Sequence, residues 1–315
     1  MSARKAIGVD LGGTRVRAGV ITEAGELLGQ SEAGIAGVGP DRGLIIIQDL
    51  IAQLTEALDA PIAGIGIGAT GPIDRARGVI NNPYTLEGWV EVPILESLQS
   101  RFGVPARLDN DANAAALGEL WQGAGRGAHR MYAVTIGTGV GTSYIVDGRL
   151  QRGAGEVHPE GGHQLIDPDG PECYCGQRGC WESLIAGPSI ARRARQVAEA
   201  RGWKPTADDS GSRFEARKLA WAARRGDAFA EQVLHEVALD LGRGLVNIIL
   251  LFVPEVIVLG GGVMESSDLF LPTVLEVIRT EHPMVPFDQV RIAPAQLGDR
   301  AGLFGGARMI LRESP

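Results

Sequence analysis

The chain has 315 residues, of which 44% are apolar and 22% charged, with 45 glycines and a formal charge of −8 at pH 7. The apolar content excludes intrinsic disorder, and Lys and Arg are scattered except for short groups such as Arg192, Arg193 and Arg195, which excludes a large electrostatic footprint for nucleic acid. Glycine is at roughly twice ordinary usage with no tripeptide period, so the excess is expected in folded turns and not in a collagen-like or linker segment.

In chain order, Arg4 and Lys5 imitate the basic start of a secretion signal, but Asp10 interrupts the apolar run far too early for a signal core. Ala6 to Leu11 reads as a buried strand that ends in Gly12-Gly13-Thr14 and resumes as Val16 to Ile21, a glycine-tipped hairpin. Leu44, Ile47, Ile51, Leu54 and Leu58 recur at helical spacing, and Ile62 to Gly68 returns to a strand with glycine at every second position. This order predicts a mixed α/β architecture.

Asn110-Asp111-Ala112-Asn113 precedes an alanine-rich helix running towards Trp121, and Val134 to Gly139 then repeats the form of Val9 to Thr14. A duplicated two-lobed fold explains the repeat and puts a boundary near residue 118. Helical periodicity covers Ser189 to Ala200, Arg213 to Arg225 and Ala228 to Phe252, which Pro254 ends. Glu255 to Leu259 is a short strand running into Gly260-Gly261-Gly262, and Ala301 to Leu311 forms a closing helix. The run Ile248 to Val253 is too short to span a membrane.

Glycines after a strand leave backbone N–H groups uncovered, and a concave row of such donors binds phosphate oxygens. A single loop of this kind is more often a plain turn. Three of them, at Gly12 to Thr14, Gly137 to Gly141 and Gly260 to Gly262, favour a bound nucleotide, although none carries the Lys of a Walker loop. His163, Cys173, Cys175 and Cys180 offer one imidazole and three thiols within a short segment, a set that suits tetrahedral zinc. One residue between Cys173 and Cys175 makes a disulfide there strained, and any pairing leaves an odd thiol, so the competing reading is three inert thiols in a reducing cytoplasm. Gly176 and Gly179 are expected to supply the turn that returns Cys180 to the metal. Taken alone, Asp111 before a helix reads first as a capping carboxylate, but its neighbours argue for a chemical group. Glu160, His163 and Glu182 bracket the cysteines, so a metal would fix a set of hydroxyl-binding residues. Trp89, Trp121 and Trp181 read as core.

Six motifs together resemble the sugar kinases of the ROK family (repressor, open reading frame, kinase) over essentially the whole chain. They are Asp10-Leu11-Gly12-Gly13-Thr14, Gly71-Pro72-Ile73-Asp74, Asn110 to Ala114, Gly137-Thr138-Gly139-Val140-Gly141, Glu160-Gly161-Gly162-His163, and Cys173-x-Cys175-Gly176-x-x-Gly179-Cys180-Trp181-Glu182. The resemblance implies an actin-like, hexokinase-like (ribonuclease H-like) α/β fold with ATP and sugar in a cleft between two lobes. The small lobe would take residues 1–118 with the helix 301–315, and the large lobe 119–300 with the zinc motif.

The same resemblance assigns roles to the matching positions. Asp111 would be the general base, and Asn110, Asp111, Glu160, His163 and Glu182 would bind the sugar, with His163 also on zinc through its other ring nitrogen. Gly12, Gly13, Thr14, Gly137 and Thr138 would cradle phosphates, Asp10 would lie near Mg2+, and Gly261 and Gly262 would border the adenosine. His163, Cys173, Cys175 and Cys180 would hold a structural Zn2+. The expected activity is ATP-dependent phosphorylation of a hexose, glucose at C6 first, by a cytoplasmic homodimer or tetramer without nucleic-acid or membrane partners.

Where many members read Ala-Gly before the sugar-binding glutamate, this chain has His158-Pro159, which resembles members acting on fructose. Mannose and N-acyl hexosamines are further candidate substrates. The family also includes sugar-sensing transcriptional regulators, which resemble this chain plus an N-terminal helix-turn-helix. Here the phosphate loop begins at Asp10, so an enzyme is the expectation.

Overall fold

The computed structural model describes residues 3–56, 58, 60–202, 214–280 and 285–312. The first half contains β1 (Lys5–Leu11), β2 (Arg15–Thr22), β3 (Leu27–Gly34), α1 (Pro40–Glu56), β4 (Ile65–Ala69), β5 (Ile73–Asp74), β6 (Val79–Ile80), α2 (Ile94–Phe102), β7 (Ala106–Asn110) and α3 (Asp111–Gln122). The second contains β8 (Arg130–Ile136), β9 (Val140–Val146), β10 (Arg149–Leu150), α4 (Trp181–Ile185), α5 (Gly187–Ala200), α6 (Ala216–Ala223), α7 (Ala228–Phe252), β11 (Val256–Gly260), α8 (Ser267–Thr280), β12 (Arg291–Pro294) and α9 (Ala301–Leu311). Arg213, placed in a helix by periodicity, lies outside the described residues, as do residues 313–315.

The chain divides into two compact units. One holds residues through His129, Ile145–Leu150 and the segment from Ala295; the other holds Arg130–Tyr144 and Gln151–Pro294. The boundary expected near residue 118 therefore moves. Residue 118 lies inside α3, where a Cβ on Gly118 would stand 2.2 Å from the Ala301 carbonyl oxygen of α9, so the two helices pack as a pair that no boundary can cut.

The sheet of the first unit has the order β3-β2-β1-β4-β7, with β1 antiparallel to β2 and parallel to β4, and β4 parallel to β7. The period-two alternation of β1 sorts its side chains. Ile7, Val9 and Leu11 join Ile47 and Ile51 of α1 in one buried cluster, whereas Ala6 joins Leu303, Phe304 and Ala307 of α9 in another. Gly8 and Gly66 face α9 closely: a Cβ on Gly8 would stand 1.8 Å from the Leu303 carbonyl oxygen, and one on Gly66 1.8 Å from that of Gly306.

This close approach corrects one expectation. Part of the glycine excess sits in helix-to-sheet and helix-to-helix contacts and not in turns, as it also does at Gly305, where a Cβ would stand 1.6 Å from the Ala114 carbonyl oxygen. Alternating glycine in the segment ending at Gly68 is the strand's side of that contact.

The second sheet has the order β10-β9-β8-β11-β12, with β11 parallel to both β8 and β12. Strands β2-β1-β4-β7 and β9-β8-β11-β12 therefore follow the same order, and the repeated motif sits at the end of the equivalent strands β1 and β8. The core of this unit gathers Val134, Ile136, Ile257 and Leu259 from the sheet with Leu241, Leu245 and Phe270 from α7 and α8. Helix α7 starts on Asp227, whose carboxylate accepts from the N–H groups of Phe229 and Ala230 at 2.9 and 3.0 Å. It ends at Val253, next to Pro254 as expected. Trp181 is fully buried: its indole donates to the Asp240 carbonyl at 2.9 Å and fills the space that Gly244 leaves on α7.

Candidate active site

The first unit brings Asp10, Asn110 and Asp111 to one edge of its sheet. Leu11 pairs with Ala69 and Ala69 with Asn110, so the carboxyl ends of β1, β4 and β7 finish in line. Ligands of open parallel α/β sheets bind at such an edge. Asn110 caps α3 by accepting from Ala112 N–H at 2.9 Å, and Asp111 opens the helix, where the unsatisfied N–H groups of the first turn favour an anion. A Cβ on Gly68 would stand 2.5 Å from the Ala114 Cβ, so glycine there lets α3 start against the strand.

Asp10 points to the α9 side, where its carboxyl fills the space beside Gly302. Burial, and secondly the charge of Asp111, push its pKa up to about 6, against the lowering influence of Arg17, whose Nη1 lies 3.7 Å from Oδ2. Gly12, Gly13 and Thr14 turn the chain between β1 and β2, closed by a Gly12 N–H to Arg15 carbonyl bond of 3.0 Å. Gly13 packs closely as well, since a Cβ would stand 3.0 Å from the Thr85 carbonyl oxygen and would make that neighbour give by a few tenths of an ångström.

The second unit repeats the arrangement. Gly260 pairs with Thr135, so the loops holding Gly137 and Thr138 and holding Gly261 and Gly262 leave neighbouring strand ends. Gly261 has φ of 87° and packs on Ile136, where a Cβ would stand 2.4 Å from the carbonyl oxygen; only glycine fits there. Glu182 joins this loop to the cysteine segment: its Oε2 accepts from Val140 N–H at 2.7 Å. Glu160 lies half exposed beside His158, whose Nε2 is 3.3 Å from its Oε1.

His163, Cys173, Cys175 and Cys180 converge, with one ligand atom from each lying within 4.8 Å of the others. The His163 Nδ1 to Cys173 Sγ and Cys175 Sγ to Cys180 Sγ distances are both 3.5 Å, close to the ligand spacing around a tetrahedral ion with bonds of about 2.0 to 2.3 Å. Gly176 and Gly179 have φ of 91° and 69° and make the turn that returns Cys180 to the cluster. Burial pushes the Cys180 thiol up to about 12, so a cation is what would make it a thiolate. The donor set fits zinc with all four positions taken by protein, a structural site.

Tyr174 carries no expectation from the sequence. It sits between two of the thiols, 83% exposed, with its hydroxyl 3.2 Å from His163 Nε2 and its ring edge-on to the imidazole at 5.2 Å. Although the ring is exposed, desolvation of the hydroxyl, and then the charge of Glu182, raise its pKa to about 12. A lone aromatic between metal ligands has no sequence signal of its own; only the fold turns it onto the imidazole.

Comparison with known proteins decides the family, because the ROK family model matches residues 6–313. The chain belongs to the ROK family. It is 33% identical to the glucokinase of Thermotoga maritima, with 98% of each chain covered. A ROK family glucokinase from Streptomyces griseus, solved in complex with glucose and AMPPNP, is 34% identical and superposes with a TM-score of 0.79 over 98% of this chain and 100% of that one. A ROK hexokinase from Thermus thermophilus is 31% identical with a TM-score of 0.80 over 96% of each. Among the described residues of this ROK chain, no helix is long and apolar enough to cross a membrane.

Proposed function

We propose that the chain is an ATP-dependent hexose kinase that phosphorylates glucose at its C6 hydroxyl, with Asp111 as general base. The reading is carried by the two carboxylates at the strand edge of the first unit, Asp111 opening α3 and Asp10 at the end of β1, in a chain whose relatives include glucokinases. Asp111 takes the hydroxyl proton as the sugar oxygen attacks the γ-phosphorus in line, the bond from that phosphorus to the β,γ-bridging oxygen breaks and ADP leaves, and most of the rate comes from positioning and charge stabilisation. Asp10 would hold Mg2+, which supplies neutralisation of the charge growing on the phosphoryl oxygens.

Backbone N–H groups of Gly12, Gly13, Thr14, Gly137 and Thr138 orient the phosphates, and Gly261 and Gly262 leave room for the adenosine. Asn110, Glu160, His163 and Glu182 bind ring hydroxyls. The contact of His158 Nε2 with Glu160 Oε1 at 3.3 Å takes up one carboxylate oxygen otherwise open to a sugar, and the His158-Pro159-Glu160 sequence keeps fructose as a second candidate substrate.

The test is ADP release over glucose, fructose, mannose and N-acetyl hexosamines for the native chain and Asp111→Ala. Loss of at least about 1,000-fold in kcat, with melting temperature nearly unchanged, is expected on removing a general base that also positions the nucleophile. Near-native turnover in that variant would overturn the assignment.

A further inference from the structure

The first unit contains a cavity of about 280 Å³ that involves no residue of the glycine loops or of the cysteine cluster. Its walls include Trp121, Arg126, Asp147, Gly148, Arg308 and Arg312. Arg308 lies in the last turn of α9 and Arg312 is the residue that caps the helix, and both reach the wall of this cavity.

The charges in this cavity are unbalanced. Among the described residues, no carboxylate lies within ion-pair distance of Arg126 or Arg308. Asp147, the acid in the wall, has its Oδ1 3.1 Å from His129 Nδ1 instead. Arg308 stacks its guanidinium over the Trp121 indole, with Cζ 5.1 Å from the ring centroid. Arg312 donates to the Gly148 carbonyl and, at 3.4 Å, to that of Asp147.

Two guanidiniums are thus fixed close together by an indole and by carbonyls. Burial, and then the charge of Arg312, lower the pKa of Arg308. The C-terminal end of a helix offsets a nearby cation only weakly, and a like-charged pair one turn apart works against it.

We propose that this cavity binds the phosphoryl group of a small phosphate or phosphate monoester. Guanidinium forks match phosphate oxygens two at a time, and Leu117 and the indole offer an apolar wall to whatever the phosphoryl group carries. The volume suits one small molecule, and the site stands whether or not the kinase reading holds.

The experiment measures binding of inorganic phosphate and of glucose 6-phosphate to the full-length protein by calorimetry at constant ionic strength, with chloride as the control anion. Glucose and a non-hydrolysable ATP analogue are present throughout to fill the substrate sites. Arg308→Gln and Arg126→Gln should each weaken binding at least tenfold, and Arg308→Lys less. Arg126 is exposed, so its variant carries the test if changes at Arg308 impair folding. Tighter binding of glucose 6-phosphate than of phosphate, lost in the same variants, would make the ligand an ester; equal binding would make it free phosphate. Native protein that binds neither, or variants that bind both unchanged, would overturn the proposal.

Discussion

The Tyr174 hydroxyl lies 3.2 Å from Nε2 of His163, the ring nitrogen left over once Nδ1 faces the thiol cluster. In the proposed sugar site that nitrogen contacts a ring hydroxyl, so the phenol stands where a substrate hydroxyl would bind and must withdraw first. A hydrogen bond to a group of this kind contributes about 1 kcal/mol net, and more when a charge such as Glu182 adds to it. Tyr174→Phe is therefore expected to lower KM for the hexose about three- to tenfold with kcat and zinc content unchanged. Steady-state kinetics with metal analysis checks this, and an unchanged or raised KM would show that the phenol does not compete.

Zinc should couple the cysteine segment to sugar binding. The same turn holds Cys180 and leads directly into α4, whose Glu182 ties the segment to the Val140 backbone. Removal of the ion by chelation, verified by metal analysis, should lower the melting temperature and weaken hexose binding, and re-addition of zinc should restore both. With the Cys180 thiol protonated up to about 12 in the absence of metal, rebinding should also release protons into weakly buffered solution. Hexose affinity unchanged in zinc-free protein would break the link between metal and site.

The raised pKa of Asp10 sets a pH dependence of stability. Its folded value of about 6 exceeds the ordinary 3.8, so between those values the native state binds more protons than the unfolded one and stability falls as pH rises. The penalty is complete above about pH 6 and absent below about pH 4. Two units correspond to roughly 3 kcal/mol at most, and partial solvent access reduces this to about 1 to 2. Asp10→Asn should accordingly be the more stable protein at pH 7 in denaturant titrations, with the difference vanishing near pH 4, while kinase activity is lost. A variant less stable than native at pH 7 would show that Arg17 outweighs the burial.

The convergence of His163 with the three cysteines, the glycine loops and the helix start at Asp111 are legible in the sequence because each lies in a short segment of chain. A thiol spacing constrains a metal site almost regardless of fold. What stays hidden depends on distant packing. Strand β3 pairs along β2 with exposed and half-buried positions alternating and has no apolar run to reveal it. The domain boundary is misplaced by sequence alone because α3 and α9 pack so closely across most of the chain's length, and that contact is written only as glycines at separate positions. Tyr174 is hidden for a similar reason, since its partner imidazole is set by the turn and not by sequence distance.

The glycine contact between α9 and the sheet gives the last prediction. Gly66 of β4 and Gly306 of α9 meet backbone to backbone: a Cβ on Gly66 would stand 1.8 Å from the Gly306 carbonyl oxygen, and one on Gly306 2.5 Å from that of Gly66. Neither residue has a left-handed backbone, so alanine is excluded there by space alone and not by conformation. Separation of helix and sheet by a methyl group also loosens Ala6, Leu303 and Ala307, which share that layer. Overpacking of this kind costs about 1 to 3 kcal/mol where side chains can yield and more where only backbone faces the new group. Gly66→Ala should therefore destabilise the chain by about 3 kcal/mol or more. Gly103→Ala serves as a control, because nothing lies within 4 Å of its Cβ position and its cost comes from its φ of 65° alone. If Gly66→Ala costs no more than Gly103→Ala in denaturant titrations, α9 does not seat on the sheet through these glycines.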